Sequence, residues 1–402
     1  MPTATMPALR SRRLLKVICL LALAAMLAST IALRLNLHLP SNASLCAWHD
    51  APLAREEQQA ASQVWNDNVK LQTGIVRPSP AYAGLWLRDS FWTLLAIGNV
   101  KASEQALDRF AGFQLPSGQV PTQFETRVAN PLYYDDESTL LFLIWADWQK
   151  MQQGETPSRQ VLSQALSYVR HVAHGGMYRS SPGTYQSWLD SYRLVQPDTL
   201  AYNQGLFVVA LLAAHDLGLS VSDGEIAAAR AGYRSLAITP GGYLAFSANL
   251  LYHDVSGLAG EFLAIWLFHQ PLLSDAVVRS TLASQPRFQS GYRVVTDAGG
   301  SYLPPGDFIG TVREGDYQDG GSWLLFDYLA LATGFLHHVP GTGTQLHDRL
   351  AQEFAIQPTF HEYLGTNPQR GSYGTEPSYR NEFSWDTFVI AVDRVVRNAC
   401  GG

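Results

Sequence analysis

The feature that most constrains the fold is a succession of segments in which apolar residues recur every three to four positions. This spacing is typical of helices that bury one face, and few segments alternate as strands do. About a dozen helices can be counted, and several are apolar nearly all round. The sequence therefore predicts an all-α fold, a doubly layered ring of helical hairpins that forms an (α/α)6 toroid. The clearest helical segments are 91–100, 140–148, 161–172, 200–217, 226–236, 258–268, 323–336 and 383–396.

The chain begins with a basic cluster at 10–16, which precedes an apolar run that ends at Leu33. Such a run is just long enough to span a bilayer, which takes about 17–25 residues, and the basic cluster favours a cytoplasmic N-terminus. The interpretation that follows places the folded part on the outer side of a membrane (periplasmic, extracellular or lumenal). A cleaved signal, which would release a secreted protein, is the alternative. The predicted organisation is a basic cytoplasmic segment at 1–13, a transmembrane signal anchor at 14–34, a linker at 35–50 and one (α/α)6-barrel domain at 51–402.

Composition excludes several classes of function. Lys and Arg total 28 against 34 for Asp and Glu, and no basic stripe follows residue 34, so nucleic-acid binding is not expected. The histidines have no companions at metal-ligand spacing, so no metal site and no cofactor are expected. Three cysteines are too few for a disulfide framework, although Cys46 and Cys400 either pair outside the cytoplasm or remain two lone thiols. The oligomeric state cannot be read from the sequence.

Acidic residues set among aromatic ones stand where several predicted helices begin. An Asp at a helix start is a good N-cap, which explains any single case. Repetition beside Trp and Tyr favours a second interpretation, because aromatic rings stack on sugar faces while carboxylates accept hydrogen bonds from hydroxyls. The elements are 86–89 (WLRD), 133–138 (YYDDES), 188–193 (WLDSYR), 198–199 (DT) and 317–321 (YQDGG).

Cleavage of a glycosidic bond needs two carboxyl groups, one protonated and one ionised. Asp135, Asp136 and Glu137 crowd three carboxyls together, which should raise at least one pKa toward that of a general acid. Glu362 lies between aromatic neighbours and is the candidate base. A solvated acidic turn and an ordinary surface Glu are the simpler explanations of these two features.

These residues resemble the motifs of the six-hairpin (α/α)6-barrel glycosidases over most of residues 50–400. The WLRD element at 86–89 resembles the W-x-R-D element of glucoamylases and glycogen-debranching glucosidases, in which Arg and Asp hold the terminal sugar. Three further elements resemble those of alkaline/neutral invertases. ESTL at 137–140 is similar to the helix start that carries the general acid, YQDGGSW at 317–323 to a Y-Q-N-G-G-S-W element with Asp319 in place of Asn, and HEY at 361–363 to the P-E-Y of the base.

The resemblance implies an inverting, exo-acting glycoside hydrolase, glucosidase-like, that acts on an oligo- or polysaccharide. Asp136 or Glu137 would donate the proton and Glu362 would activate water, with carboxyl groups roughly 6.5–9.5 Å apart. The alternatives are a polysaccharide lyase on the same barrel, which an electropositive cleft would favour, and a non-catalytic carbohydrate-binding envelope protein. The expected substrate-binding residues are Trp86, Arg88, Asp89, Asp190, Arg193, Gln204, Tyr317, Asp319, Trp323, Tyr363 and Trp385.

Overall fold

The computed structural model describes residues 51–82, 84–125, 131–238, 242–310, 312–369 and 382–400. The predicted segments 1–13, 14–34 and 35–50, and with them Cys46, lie outside these residues. Cys400 is disulfide-bonded. Within the described part of the chain, no helix combines the length and the apolar character that a membrane crossing requires.

Twelve α-helices make up about half of the described chain, in line with the dozen helices that the hydrophobic spacing predicts. They are α1 (Ala51–Asn68), α2 (Leu87–Ile97), α3 (Val100–Ala111), α4 (Ser138–Met151), α5 (Arg159–Val172), α6 (Ala201–Asp216), α7 (Asp223–Ser235), α8 (Ala259–Phe268), α9 (Asp275–Ser284), α10 (Leu324–Leu336), α11 (Thr342–Ile356) and α12 (Val389–Ala399). Short 3₁₀ helices cover Val255–Leu258, Pro305–Asp307 and Trp385–Phe388.

Six helices form an inner ring. Helices α2, α4, α6, α8 and α10 each contact the next, and α12 with its preceding 3₁₀ turn returns to α2 and closes the ring. Helices α2, α4, α6 and α10 are buried nearly all round, whereas α8 and α12 are buried only in part. In α6 every residue from Ala201 to Ala214 is buried, which matches an element enclosed by neighbours on all sides.

The other helices form an outer layer and pack one face inward. Helices α3, α5, α7 and α11 each contact the inner helix that precedes them, and α1 contacts α11. Because one face of each of these helices is exposed, polar side chains can cap their N-termini. Asn99 caps α3, Ser158 caps α5, and Ser222 forms a capping box with Glu225 at the start of α7.

The tightest crossing in the ring lies between α6 and α8. A Cβ atom on Gly260 would stand 2.5 Å from the Cα of Gly205, closer than real Cβ atoms come. Two glycines therefore let the backbones of neighbouring inner helices touch, which holds α8 close enough to complete the ring.

Short antiparallel strands occupy the loops between helices. They are β1 (Val69–Lys70) with β2 (Ile75–Val76), β3 (Gly84–Trp86) with β4 (Gln123–Glu125) and β5 (Pro131–Tyr133), β6 (Ala173–His174) with β7 (Met177–Tyr178), and β8 (Arg287–Phe288) with β9 (Gly291–Tyr292). Strand β3 runs directly into α2, so it fixes where that inner helix begins.

Candidate active site

A pocket opens at the end of the ring where the inner helices begin. Its wall comes from the starts of α2 and α10, from the loop before α6, from the 3₁₀ turn before α12 and from the segment after α11. The cavity is small, about 40 Å³, which is room for a few water molecules. The lining residues are Pro78, Tyr82, Trp86, Arg88, Asp89, Trp188, Asp190, Tyr317, Gln318, Trp323, Glu362, Phe383 and Trp385.

Three carboxyl groups converge on this pocket. Asp89 and Glu362 are 3% and 2% exposed, and Asp190 is half-buried. Burial raises the pKa of Asp89 to about 7 against the opposing charge of Arg88, and the negative charges of Glu362 and Asp190 add to the increase. The pocket therefore holds acidic groups that differ in exposure and lie close enough for the charge of one to shift the pKa of another.

Asp190 is held by a side chain from the opposite wall. The amide nitrogen of Gln318 donates to Asp190 Oδ1 over 2.9 Å and also to the carbonyl oxygen of Trp188 over 2.9 Å. The amide oxygen of Gln318 accepts from the backbone N–H of Ser191. One buried glutamine thus fixes the segment 188–191 on both sides of the carboxylate.

Glu362 lies deeper. The hydroxyl of Tyr82 donates to Glu362 Oε1 over 3.1 Å, and this donor favours the ionised carboxylate. Tyr82 is itself half-buried against the ring of Phe383.

Arg88 is the cation of the described lining. Its Nη1 bonds Glu137 Oε2 over 3.0 Å, and its guanidinium carbon lies 5.3 Å from the centroid of the Trp385 ring. Burial alone would lower the pKa of Arg88, but Glu137, Asp190 and Asp89 outweigh it and keep the group charged. Its buried Nε has no hydrogen-bond partner among the described residues, nor do Asp89 Oδ1 and Trp385 Nε1. These atoms are unsatisfied polar groups at a pocket wall, which a polar ligand could bond.

Aromatic rings build the rest of the wall. Trp188 meets Trp323 edge to face at 5.2 Å, and Tyr317 packs on Trp323 at the same distance. Tyr363, predicted to bind substrate, stacks on Trp323 from behind and is absent from the lining. The aromatic layer is therefore two rings deep on this side.

The acidic cluster 135–137 does not reach the pocket. Asp135 Oδ1 accepts from the N–H of Ser138, so it caps α4. Asp136 accepts from the hydroxyl of Tyr168 on α5 and from the N–H of Ser181. Burial raises its pKa to about 6, with the adjacent Asp135 a minor cause. The pKa of Asp136 is therefore raised, but its carboxyl group lies between helices and not in the pocket.

Glu137 is fully buried, and both of its oxygens are bonded. Oε2 pairs with Arg88, and Oε1 accepts from the hydroxyl of Tyr202 over 2.8 Å. Neither Asp136 nor Glu137 lines the pocket, because the first turn of α4 directs them to the neighbouring elements.

Three further predicted residues lie away from the pocket. Arg193 is exposed, Gln204 bonds the backbone of Gly176, Tyr178 and Ala229 in the helix interior, and Asp319 accepts from the N–H of Leu303 inside its own loop. Burial raises the pKa of Asp319 to about 7. None of the three lines the pocket.

Five lining residues were not predicted from the sequence, namely Pro78, Tyr82, Trp188, Gln318 and Phe383. Trp188 and Gln318 stand inside the WLDSYR and YQDGG elements, so their aromatic and acidic neighbours were a usable signal. Tyr82 and Phe383 have no such context. In the described ranges, no group of three or more His, Cys, Asp or Glu residues is arranged to hold a metal ion. The described lining carries three carboxyls and one Arg, which is the opposite of an electropositive cleft.

Comparisons with known proteins show which structures share this fold. No family model matches the sequence, and no curated protein does. Solved structures do match. A wild-type glycosidase superposes with a TM-score of 0.63 at 15% identity over 87% of this chain and 99% of its own. A glycosidase variant in complex with glucose gives a TM-score of 0.59 at 15% identity over 87% and 99% of the two chains.

A third structure has the same fold. It is a GH63 mannosylglycerate hydrolase from Thermus thermophilus in complex with glucose, which matches 84% of this chain and 99% of its own, with a TM-score of 0.58 at 12% identity. The predicted six-hairpin (α/α)6 fold is therefore confirmed for the described domain. At these identities the likeness concerns the fold.

Proposed function

We propose that the protein is a glycoside hydrolase that removes a terminal sugar with inversion, using Asp190 as the general acid and Glu362 as the general base. The observation that carries the proposal is the meeting of these two carboxyl groups in one aromatic pocket. Asp190 of the WLDSYR element takes the place of Asp136 or Glu137 as the proposed acid, because those two residues face other helices.

The difference in exposure assigns the two roles. A general acid must reach the leaving group, which continues as the rest of the substrate toward solvent. Asp190 is the half-buried carboxyl of the three, so it occupies the side from which that part of the substrate leaves. Glu362 is almost fully buried and accepts a hydrogen bond from Tyr82, which suits an ionised base that activates water on the opposite face.

Arg88 and Asp89 hold the non-reducing sugar. Their unsatisfied Nε and Oδ1 atoms are a donor and an acceptor at neighbouring positions, as sugar hydroxyls require. The cavity is small, so side chains at its mouth must move to admit a whole ring, and a pocket of this size suits the end of a chain rather than its middle. This supports exo action.

The structural neighbours support a hexose as the sugar. Two of them are in complex with glucose, and one is a hydrolase of mannosylglycerate. We therefore infer a glucoside or a closely related hexoside as substrate, with the pocket holding the hexose.

We also infer that this domain acts outside the cytoplasm, behind the predicted anchor at 14–34. The disulfide at Cys400 supports this, because disulfides persist in oxidising compartments.

The test is hydrolysis of α- and β-linked glucosides, mannosides and fructosides by the full-length protein in detergent, with the product anomer followed by NMR. Asp190→Asn and Glu362→Gln should each reduce kcat by about 10²- to 10⁴-fold, the usual contribution of one general acid or base. Asp136→Asn is the matched control and should retain kcat. A retained anomer, or full activity in the Asp190 and Glu362 variants, would reject the assignment.

The same panel addresses the two alternatives. An unsaturated product absorbing in the ultraviolet would indicate a lyase. Sugar binding without turnover by the wild type would indicate a carbohydrate-binding protein.

A further inference from the structure

A buried chain of charged groups lies directly behind the segment that carries Glu362. Asp327 on α10 and Arg349 and Glu353 on α11 are 0% exposed, and His361 is buried beside them. None of the four lines the pocket. Charges buried this deeply cost free energy, and apolar residues of similar size often replace such networks without loss of stability. Their presence therefore calls for an explanation other than stability.

The chain of bonds is continuous. Arg349 Nε bonds Asp327 Oδ2 over 2.8 Å, and Arg349 Nη1 bonds Glu353 Oε2 over 2.8 Å. Glu353 Oε1 then accepts twice from His361, from the ring Nδ1 over 2.8 Å and from the backbone N–H over 2.9 Å. Burial alone would raise the pKa of Glu353, but Arg349 and His361 outweigh it and lower the pKa to about 2, so Glu353 is ionised. One carboxylate thus fixes both the ring and the backbone of His361, the residue before Glu362.

The other side of Glu362 is fixed by the same chain. Ser322 and Leu364 exchange two backbone hydrogen bonds of 2.9 and 2.8 Å. The hydroxyl of Ser322 donates to Asp327 Oδ2 over 2.7 Å, the oxygen that also accepts from Arg349. The bonds therefore close a circuit from His361 through Glu353, Arg349, Asp327 and Ser322 to Leu364.

We propose that Glu353 is a positioning residue for Glu362, which it holds in place through His361 and the buried circuit with Arg349 and Asp327. This inference rests on the proposed function, because it assumes that Glu362 is the base. Placing a base to activate one water requires a fixed backbone on both sides, and a misplacement of about 1 Å can cost about 10²-fold in rate. The sugar contacts of Arg88 and Asp89 come from a different element and do not depend on this circuit.

The molecule contains a matched control for burial. Glu261 on α8 is also fully buried, accepts from the backbone N–H groups of Leu272 and Leu273 over 3.0 Å, and pairs with His337 over 2.9 Å. His337 follows the C-terminus of α10, whereas Trp323 of the pocket precedes its N-terminus, a separation of roughly 20 Å along 13 residues at 1.5 Å each. Glu353 and Glu261 thus each accept from a histidine ring and from backbone N–H, Glu353 pairs in addition with Arg349, and the two differ in their distance from the pocket.

The experiment compares Glu353→Gln with Glu261→Gln in the full-length protein, measuring kcat, KM and the thermal midpoint. Both variants should unfold at lower temperature. Glu353→Gln should in addition lower kcat about 10- to 100-fold with KM changed less than twofold, while Glu261→Gln keeps kcat within twofold. Equal kcat in the two variants would overturn the proposal and show a purely structural circuit.

A second pair of variants covers the case in which Glu353→Gln does not fold. His361→Asn keeps a side-chain donor near the position of Nδ1, and His361→Ala removes it. We expect His361→Ala to lose kcat as above and His361→Asn to recover most of it. Similar kcat in both would contradict the proposal. An inactive wild type would instead reject the glycosidase function, so that the two failures are distinguishable.

Discussion

Two buried sites at opposite ends of the ring differ in how their polar groups are bonded. At the pocket end, where the inner helices begin, Arg88 Nε, Asp89 Oδ1 and Trp385 Nε1 are buried without a hydrogen-bond partner in the part of the chain that the structure describes. At the far end, where α10 finishes, the buried Glu261 accepts from two backbone N–H groups and from His337. His337 in turn reaches Asp275 at the start of α9.

This difference distinguishes a site that can bind a ligand from a site that stabilises the fold. An unsatisfied buried polar atom costs free energy, on the order of 1–3 kcal/mol, unless a ligand bonds it. The Glu261 site has bonded its buried carboxylate internally, so it contributes to the fold and leaves no free acceptor there for a ligand. The pocket end retains this cost in the absence of substrate, as sites built for recognition do. Substitutions at the pocket end should therefore lower activity without loss of stability. Substitutions at the far end should lower stability without loss of activity.

The largest effect is expected for Arg88→Lys at the pocket end. Lysine lacks the Nε donor and the flat guanidinium that faces the Trp385 ring, and it cannot keep the bond to Glu137 while reaching a sugar. We expect kcat/KM to fall about 10²- to 10³-fold, which is about 3–4 kcal/mol at 1.36 kcal/mol per factor of ten. Steady-state kinetics on the best glycoside of the panel measure it.

The control lies at the far end. Arg234 donates its Nε to the carbonyl oxygen of Leu272, in the loop that Glu261 holds. Arg234→Lys removes the same kind of donor, and kcat/KM should stay within twofold. If the two lysine variants lose activity alike, the distinction between the ends is wrong.

Asp89→Asn should lower activity but raise stability. Because burial raises its pKa to about 7 from 3.8, folded Asp89 holds its proton in a pH range where the unfolded chain has lost it. Stability therefore falls as pH rises from about 4 to about 7, by about 2 kcal/mol or more, and Asn removes this loss. Urea unfolding at pH 5 and pH 8 should show a variant more stable than the wild type at pH 8 only.

Asp275→Asn provides the opposite sign for comparison. This carboxylate bonds His337 and stands in the first turn of α9, so its removal should destabilise the fold slightly at pH 7. A stabilised Asp275→Asn would contradict the role of that carboxylate beside His337, and an Asp89→Asn no more stable than the wild type at pH 8 would show that the buried Asp89 charge does not cost free energy in the folded state.

The fold was predictable from sequence because the inner helices have a strong signal. Segments such as 200–217 and 323–336 are apolar nearly all round and became the inner helices α6 and α10. The helices without a predicted segment of their own were α1, α3, α9 and α11, all outside the ring. They are lower in apolar content and one face is exposed, so spacing alone distinguishes them poorly from loops.

The site was predictable only in part. Arg88, Asp89, Asp190 and Glu362 reach one pocket, and each stands in a motif of acid and aromatic residues. Asp136 and Glu137 stand in such a motif too, yet the first turn of α4 directs them between helices. The direction of a side chain at a helix start depends on which neighbour it meets. The sequence does not contain that information, because Tyr168 and Tyr202 are far away along the chain.

The smallest effect, a change in the pH dependence of stability, is expected for His337→Gln at the far end. Burial alone would lower the pKa of His337, but the bonds to Glu261 and Asp275 outweigh it and raise the pKa above the usual value. A raised histidine pKa means that the folded state binds the proton more tightly than the unfolded chain. The stability gained is complete below about pH 6.5 and is lost as pH rises through the folded-state pKa.

The size of this gain depends on the two partners. The side chain of Asp275 is 64% exposed, so its attraction is screened by solvent and salt, while Glu261 is fully buried. We therefore expect the gain to be carried mainly by Glu261. Urea unfolding at pH 6 and pH 9 should show the wild type losing more stability over that interval than His337→Gln, with kcat unchanged in the variant. A parallel loss in both proteins would mean that the imidazole is neutral in the fold, and the far end would then owe its stability to hydrogen bonds alone.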